Sequence, residues 1–300
     1  MARKGPAIPE RGSEFDAEKG PDMVPVAAHG SASTTLAQAR AALQDVVPRL
    51  VALVRNVPDA GAGSVGTWTA GDVAAHLSHA FRFDTDAVAG KPVPEATVTR
   101  AGMAEVNAEL LAEDGERDPA VLADRIGTLA REFDEAAANS RAATVDWLQG
   151  TRLPPSAVAC HLLEECLIHG RDIAAAVGRP WPIQRQHALL AIDGAVLPLI
   201  AALPPAAFLD QQNAESFRAR FELRLRGGGR TVLDFDGGSL TLDAAGARDI
   251  DAYVSADPSA LMLVFIGRQE LWKPVLAGKL AAWGRRPWKL ARMLTAISPP

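Results

Sequence analysis

The sequence predicts an all-helical domain followed by a small α+β domain. Up to about residue 216 the apolar residues recur at helical spacing, and no stretch alternates convincingly as a strand does. Beyond that point Phe221, Leu223 and Leu225 alternate with charged residues, which is typical of a half-exposed strand. The length of 300 residues also favours two domains over one. We therefore predict a helical domain at residues 33–216 and an α+β domain at residues 217–300.

The composition indicates a soluble protein with ample core, because 48% of the residues are hydrophobic. A net charge of −5 argues against a general nucleic-acid-binding protein. The longest apolar stretch, 188–203, is interrupted by Asp193, Gly194 and Pro198, so no membrane span is expected. The chain does not begin like a secretory signal, which predicts a cytoplasmic location.

The helices of the first domain are predicted to follow a polar N-terminal segment, and cap residues mark where several of them begin or end. Residues 1–32 are rich in proline, glycine and charge and are expected to form a disordered tail. Thr69 is a good cap for the second helix, Pro154 and Pro155 suit the start of the helix that carries the cysteines, and Gly178 suits its end. The expected helices of this domain span about residues 34–56, 70–89, 100–111, 119–148, 155–178 and 184–203.

The second domain is predicted to contain strands joined by glycine turns. A strand at 231–236 follows the first one after a Gly227-Gly-Gly turn, and Leu240 and Leu242 mark a third. A fourth strand is expected around residues 250–254 and a fifth at 279–283. Asp257 caps a helix that ends at Gly267, and Pro287 opens the last helix.

Two stretches carry side chains that could bind a metal ion. His161, Glu165 and His169 recur every four residues and share one helix face, and His76 lies in a second helix. Three ligands on one straight helix would span roughly 12 Å, too far for one ion with bonds near 2 Å. The spacing therefore favours His76 with Glu165 and His169, across two helices. The alternative is an exposed Glu–His ion pair, which is common in alanine-rich helices.

Other signals are weaker. Arg285 and Arg286, beside Pro287, could hold a carboxylate, or they could form an exposed basic corner. Cys160 and Cys166 are six residues apart, so one helix points them in different directions and no disulfide between them is expected. No catalytic residue is assigned from the sequence.

Both metal-ligand stretches resemble a known family. Trp68, Asp72, His76 and Leu77 fit the W-x-x-x-D-V-x-x-H-L signature of the DinB-like, mycothiol-dependent maleylpyruvate isomerase family. The stretch from Glu165 to Ile173 resembles its second motif, E-x-x-x-H followed by Asp-Leu or Asp-Ile. The C-terminal stretch resembles the sterol-carrier-type domain that often follows.

The resemblance implies a DinB-like four-helix bundle with a metal, usually zinc, on His76, Glu165 and His169. It further implies mycothiol as a low-molecular-weight thiol cofactor whose sulfur takes the open metal position. The expected activity is cis–trans isomerisation or S-transfer on an electrophilic or acidic small molecule, with Arg285 or Arg286 as candidates for contact with the substrate. Two alternatives stay open: a non-catalytic carrier of an apolar ligand, and a zinc-dependent hydrolase.

Overall fold

A computed structural model of the protein describes residues 34–93, 98–244 and 248–298. The predicted tail at 1–32 lies outside these residues, and its disorder stays a prediction. In the described ranges, no helix is long and apolar enough to cross a membrane. The N-terminal part is helical and the C-terminal part contains a sheet, as the sequence predicts. The division into two domains at residue 216 stays a prediction.

The helical part is built on four helices: α1 (Leu36–Arg55), α2 (Ala70–Val88), α4 (Pro119–Asn139) and α5 (Pro155–Ala176). Each packs against two of the others, so that α1, α4, α2 and α5 close into a four-helix bundle. The helix α3 (Arg100–Glu113) has no buried residue and lies against α2. The bundle core is filled mainly by the aliphatic side chains that the helical period predicts.

The bundle helix α4 is shorter than the sequence predicts. It ends at Asn139 because the backbone of Ser140 is extended, whereas the apolar period suggested a helix to residue 148. The buried Val145 lies instead on a short strand, β3 (Val145–Asp146), which pairs with β4 (Arg152–Leu153). A similar ribbon joins β1 (Gly63–Val65) and β2 (Trp68–Thr69). Strands of two or three residues are too short to show a period of two, so no sequence pattern predicts them.

The predicted helix at 184–203 is continuous but irregular. It consists of α6 (Arg185–Ala191), a π-helical turn at Ile192–Val196 and α7 (Leu197–Ala202). Gly194 in the turn packs tightly on α5, since a Cβ at this position would lie 2.4 Å from the Cys160 Sγ. A short 3-10 turn at Pro205–Ala207 and the helix α8 (Gln211–Ala214) lead into the sheet.

The C-terminal part contains a five-stranded sheet with the order β7-β6-β5-β8-β9. Its strands β5 and β8 are parallel and the other neighbours are antiparallel. The five strands are β5 (Arg218–Leu225), β6 (Arg230–Asp236), β7 (Ser239–Ala244), β8 (Ala252–Ala256) and β9 (Leu280–Gly284). Three helices accompany them: α9 (Pro258–Phe265), α10 (Trp272–Leu276) and α11 (Lys289–Ala296).

Contacts join the two parts of the chain. The Arg185 guanidinium, on α6, donates to the Asp257 carboxylate that caps α9, with an Nη2–Oδ2 distance of 3.2 Å. The Ser259 hydroxyl donates to the carbonyl of Ile183 at 3.2 Å. Between the π-helical turn, α7 and the inner face of the sheet lies an apolar cavity of about 80 Å³. The C-terminal part therefore packs directly on the bundle side that carries α5 and α6.

Candidate metal centre

Three side chains with metal-binding atoms converge between α2 and α5. His76 projects from α2, and Glu165 and His169 lie one turn apart on α5. The Glu165 Oε2 lies 3.0 Å from His76 Nε2 and 3.4 Å from His169 Nε2. One ligand atom from each residue lies within 4.8 Å of the others. His169 is buried, and the other two side chains are mostly shielded from solvent.

This set of atoms fits a divalent metal. Tetrahedral zinc with bonds of about 2.0–2.1 Å keeps its ligand atoms roughly 3.4 Å apart. The 3.0 and 3.4 Å separations from the Glu165 oxygen are close to that spacing. Two imidazole nitrogens and one carboxylate oxygen also form a ligand set of catalytic zinc sites, which leaves one position open. Metal binding by His76, Glu165 and His169 nevertheless stays a prediction.

The start of α2 is fixed by a capping box that aims His76 at the centre. Thr69 and Asp72 exchange hydrogen bonds: the Asp72 amide donates to the Thr69 Oγ1 at 3.1 Å, and the Thr69 amide donates to Asp72 Oδ2 at 2.9 Å. Arg117 donates to the other oxygen of Asp72 at 2.7 Å. Asp72 is therefore a structural cap. The ring of Trp68, just before the cap, lies 5.1 Å from the His76 ring and 6.4 Å from the His169 ring.

The second ring nitrogen of His169 is held by a carboxylate. His169 Nδ1 lies 3.2 Å from the Oδ2 of Asp172, which is 5% exposed. Asp172 in turn accepts two hydrogen bonds from Arg268, at 2.9 Å from Nε and 3.0 Å from Nη2. A carboxylate at Nδ1 fixes the ring orientation and leaves Nε2 toward the centre. Arg268 thus connects the C-terminal part of the chain to a predicted ligand.

A second carboxylate–histidine pair lies on the other side of Glu165. Asp84, fully buried on α2, accepts from Trp147 Nε1 at 3.2 Å and lies 2.9 Å from His161 Nδ1. His161 Nε2 lies 3.7 Å from Glu165 Oε1. Burial lowers the pKa of His161, but the charge and hydrogen bond of Asp84 outweigh burial and raise that pKa to about 9.

The three predicted ligands differ in their pKa values in the metal-free protein. Burial lowers the pKa of His169, but the Asp172 and Glu165 carboxylates outweigh burial and raise that pKa to about 9. Burial raises the pKa of Glu165, but His169 and His76 hold it well below its ordinary value. At His76 burial dominates and lowers the pKa. At neutral pH the centre therefore holds a carboxylate, one imidazolium and one neutral imidazole, and a metal ion would replace the proton of His169.

The remaining residues singled out in the sequence have partners of their own. His79 Nε2 lies 3.0 Å from the Asp114 carboxylate, which also pairs with Arg125. Arg286 pairs with Asp251 at 3.0 Å and Arg285 with Asp249 at 3.7 Å, so both arginines contact carboxylates of the segment at 249–251. Their role toward a substrate stays a prediction.

Both cysteines are buried and free. Burial raises the pKa of Cys160 to about 12 and that of Cys166 well above its ordinary value, so both are protonated thiols at neutral pH.

Sequence reasoning missed Asp84, Trp147 and Arg268. Asp84 follows His76 by eight residues, which places it on the same side of α2 two turns further on, and this spacing was a usable signal. Trp147 lies in the loop between β3 and β4, and Arg268 lies 96 residues from Asp172. No local pattern predicts such distant contacts.

Fold and site together define a helical-bundle protein with a candidate two-histidine, one-glutamate metal centre, joined to a sheet-containing part. Residues 49–174 match the sequence model of the mycothiol maleylpyruvate isomerase N-terminal domain, so this stretch of the chain is similar to that family. The matched stretch includes His76, Glu165 and His169. A comparison with curated protein sequences gives no match.

Solved structures resemble the chain over 49–83% of its length. A histidine-to-alanine variant of the mycothiol-dependent maleylpyruvate isomerase has 14% sequence identity and a TM-score of 0.50, over 83% of this chain and 92% of that one. The enzyme without the substitution gives 15% identity and a TM-score of 0.48, over 78% and 90% of the two chains. An inverting sec-alkylsulfatase from a Pseudomonas species gives 14% identity and a TM-score of 0.31, over 49% and 25%. The first of these likenesses indicates a shared fold.

Proposed function

We propose that this protein is a metal- and mycothiol-dependent enzyme that acts on an electrophilic small molecule. The observation that carries the proposal is the convergence of His76, Glu165 and His169 inside the stretch that matches the family. Two nitrogens and one oxygen leave an open position for a thiol sulfur in a tetrahedral zinc site. The family name and the fold of the solved isomerase support mycothiol as that thiol.

In this proposal each side chain of the centre has a defined task. His76, Glu165 and His169 would hold zinc, which when bound lowers the pKa of a coordinated thiol and makes a thiolate available at neutral pH. Asp172 keeps the proton of His169 on Nδ1, so that Nε2 stays available as a ligand. The Trp68 ring covers one side of the two histidines and restricts the access of water.

Arginines of the C-terminal part are proposed to bind an acidic group of the substrate. Arg285 and Arg286 are the candidates from the sequence. Arg268 is a third, because Asp172 joins it to His169 and because its side chain keeps 27% exposure. A guanidinium suits a carboxylate because two parallel N–H groups can donate to its two oxygens. Separate alanine variants should distinguish the three, since loss of the substrate contact should raise KM more than it lowers kcat.

The decisive experiment is an assay of the zinc-loaded protein with mycothiol and maleylpyruvate, followed by the change in ultraviolet absorbance. We expect turnover that requires both zinc and thiol. The variant His169→Ala should lose turnover by at least about a hundredfold, because it removes a ligand. The matched control His79→Ala removes a half-buried histidine of the same bundle that pairs with Asp114, and should keep the activity. Equal activity of the two variants would refute the proposed centre.

The same assay separates the two reactions that the site could support. An isomerase adds the thiolate to an activated double bond, allows rotation, and releases the thiol again. An S-transferase keeps the thiol in its product. Titration of free thiol during turnover therefore distinguishes them: constant thiol indicates isomerisation, and loss of one thiol per product indicates transfer. Turnover without any thiol would favour a zinc-dependent hydrolase.

A carrier of apolar ligands, of the sterol-carrier type, is the second candidate. The apolar cavity between the sheet and the helices favours it, with walls that include Phe221, Met262 and Met293. Its volume of about 80 Å³ is, however, about half that of an engineered cavity of roughly 150 Å³ that holds one benzene molecule. A sterol or fatty acid is far larger, so the carrier is the weaker candidate. Its test is mass spectrometry of organic extracts of the purified protein, where a stoichiometric lipid would support it.

A further inference from the structure

A buried carboxylate and a histidine lie behind Glu165, on the side away from the other predicted ligands. Asp84 lies on α2 and His161 on α5, one turn before Glu165. We infer that His161, held by Asp84, is a positioning residue that fixes the Glu165 carboxylate for metal binding. This inference rests on the proposed metal centre and assigns it an outer support that the sequence motifs do not contain.

Two contacts fix the orientation of the His161 ring. Asp84 is completely buried, so both its oxygens need hydrogen-bond donors. Trp147 Nε1 donates a hydrogen bond to one Asp84 oxygen at 3.2 Å, and His161 Nδ1 donates to the other at 2.9 Å. The indole of Trp147 also packs edge-on against the His161 ring, with centroids 5.2 Å apart. Hydrogen bond and packing together hold the ring in one orientation.

In this orientation the His161 ring points toward Glu165. With Nδ1 on Asp84, the opposite nitrogen, Nε2, faces Glu165 Oε1 at 3.7 Å. The other oxygen of the same carboxylate, Oε2, faces His76 and His169 at 3.0 and 3.4 Å. The two oxygens of Glu165 therefore have different neighbours. One lies at the predicted centre, and the other lies within ion-pair distance of His161 Nε2.

An ordered Glu165 side chain should bind zinc more tightly than a mobile one. A glutamate side chain has three rotatable bonds, and a ligand that is not held must be ordered when the metal binds. Outer partners that orient metal ligands typically contribute about 10–100-fold in metal affinity. We therefore expect loss of the His161 contact to weaken zinc binding by about that factor.

A merely structural role for His161 makes a different prediction. If His161 only supplies a donor to the buried Asp84, then any side chain that keeps this donor should preserve zinc binding. The two amide residues separate the roles. In His161→Asn the amide nitrogen takes the place of Nδ1 and can reach Asp84, but not Glu165. In His161→Gln the amide nitrogen takes the place of Nε2 and can reach Glu165, but not Asp84.

The experiment measures the zinc dissociation constant of the full-length protein by competition with a chromophoric chelator, for wild type and both variants. The melting temperature of the metal-free proteins is recorded in parallel. We expect His161→Asn to weaken zinc binding about 10–100-fold with little change in melting temperature. We expect His161→Gln to melt at a lower temperature but to bind zinc more tightly than the asparagine variant. His79→Gln, whose histidine pairs with Asp114, is the matched control and should keep wild-type affinity.

The possible outcomes separate this inference from the proposed function. Wild-type affinity in His161→Asn would overturn the positioning role and leave the metal centre standing. Weaker binding in the glutamine variant than in the asparagine variant would also overturn it, because the contact with Asp84 would then control affinity. A wild type that binds no zinc would refute the metal centre, and the inference with it.

Discussion

Asp172→Asn removes a buried charge that links the two parts of the chain. Asp172 is 5% exposed, accepts two hydrogen bonds from Arg268 and lies 3.2 Å from His169 Nδ1. Breaking a buried ion pair typically costs about 3–5 kcal/mol. Because the Arg268 side chain is 27% exposed and can regain water, we expect about 2–3 kcal/mol here. At about 2–4 °C per kcal/mol, the metal-free protein should melt roughly 4–12 °C lower.

The assay is thermal unfolding followed by circular dichroism, together with zinc titration. Asp251→Asn is the matched control, because Asp251 is similarly buried and pairs with Arg286 and Lys289. Both variants should lose stability, but only Asp172→Asn should also weaken zinc binding, by about 10–100-fold. Wild-type zinc affinity in Asp172→Asn, or equal weakening in both variants, would refute the reasoning.

The other expectations concern the pH dependence of zinc binding, two glycines and Glu164. The pKa of His169 is about 9, so zinc must displace a proton from this ring at neutral pH. Zinc affinity, measured by chelator competition, should therefore rise about tenfold per pH unit above pH 7 and level off near pH 9, and a flat profile would contradict this. Gly170→Ala should destabilise the protein by about 1–3 kcal/mol, because the new Cβ would lie 2.4 Å from the Trp181 ring. Gly127→Ala should stabilise the protein by about 0.5–1 kcal/mol, because the nearest atom to its new Cβ lies 3.7 Å away. Denaturant midpoints in the reverse order would refute this. Burial raises the pKa of Glu164 from 4.5 to about 7. The free energy of unfolding of the metal-free wild type should therefore fall by about 1–3 kcal/mol as pH rises through this interval. Urea unfolding at pH 5 and 8 should show a smaller fall for Glu164→Gln.

The helical bundle was predictable because its apolar residues follow the helical period over long segments. Thr69 caps α2 as predicted, and the bundle helices begin close to the expected residues. The sequence-based prediction was wrong where tertiary contacts determine the secondary structure. The chain leaves the helix at Ser140 and buries Val145 through a short ribbon, although its apolar spacing continued that of the helix.

The candidate site was only partly predictable, for a related reason. A glutamate and a histidine four residues apart must share a helix face, and since one straight helix cannot bring three such ligands to one ion, the third ligand was expected on a second helix. The outer contacts join residues far apart in sequence: Asp84 with His161, and Asp172 with Arg268. Such contacts depend on how α2 meets α5 and on how the C-terminal part docks, and neither is encoded in a local pattern.

The most direct test of the account is elemental analysis of the purified protein, for the wild type, Glu165→Gln and Glu164→Gln. Glu164 is an adjacent carboxylate that lines the apolar cavity instead of joining the two histidines, so it is a matched control. We expect about one zinc per chain in the wild type and in Glu164→Gln, and loss of zinc in Glu165→Gln. Wild type that neither contains nor takes up zinc, or Glu165→Gln that retains it fully, would contradict the proposed metal centre.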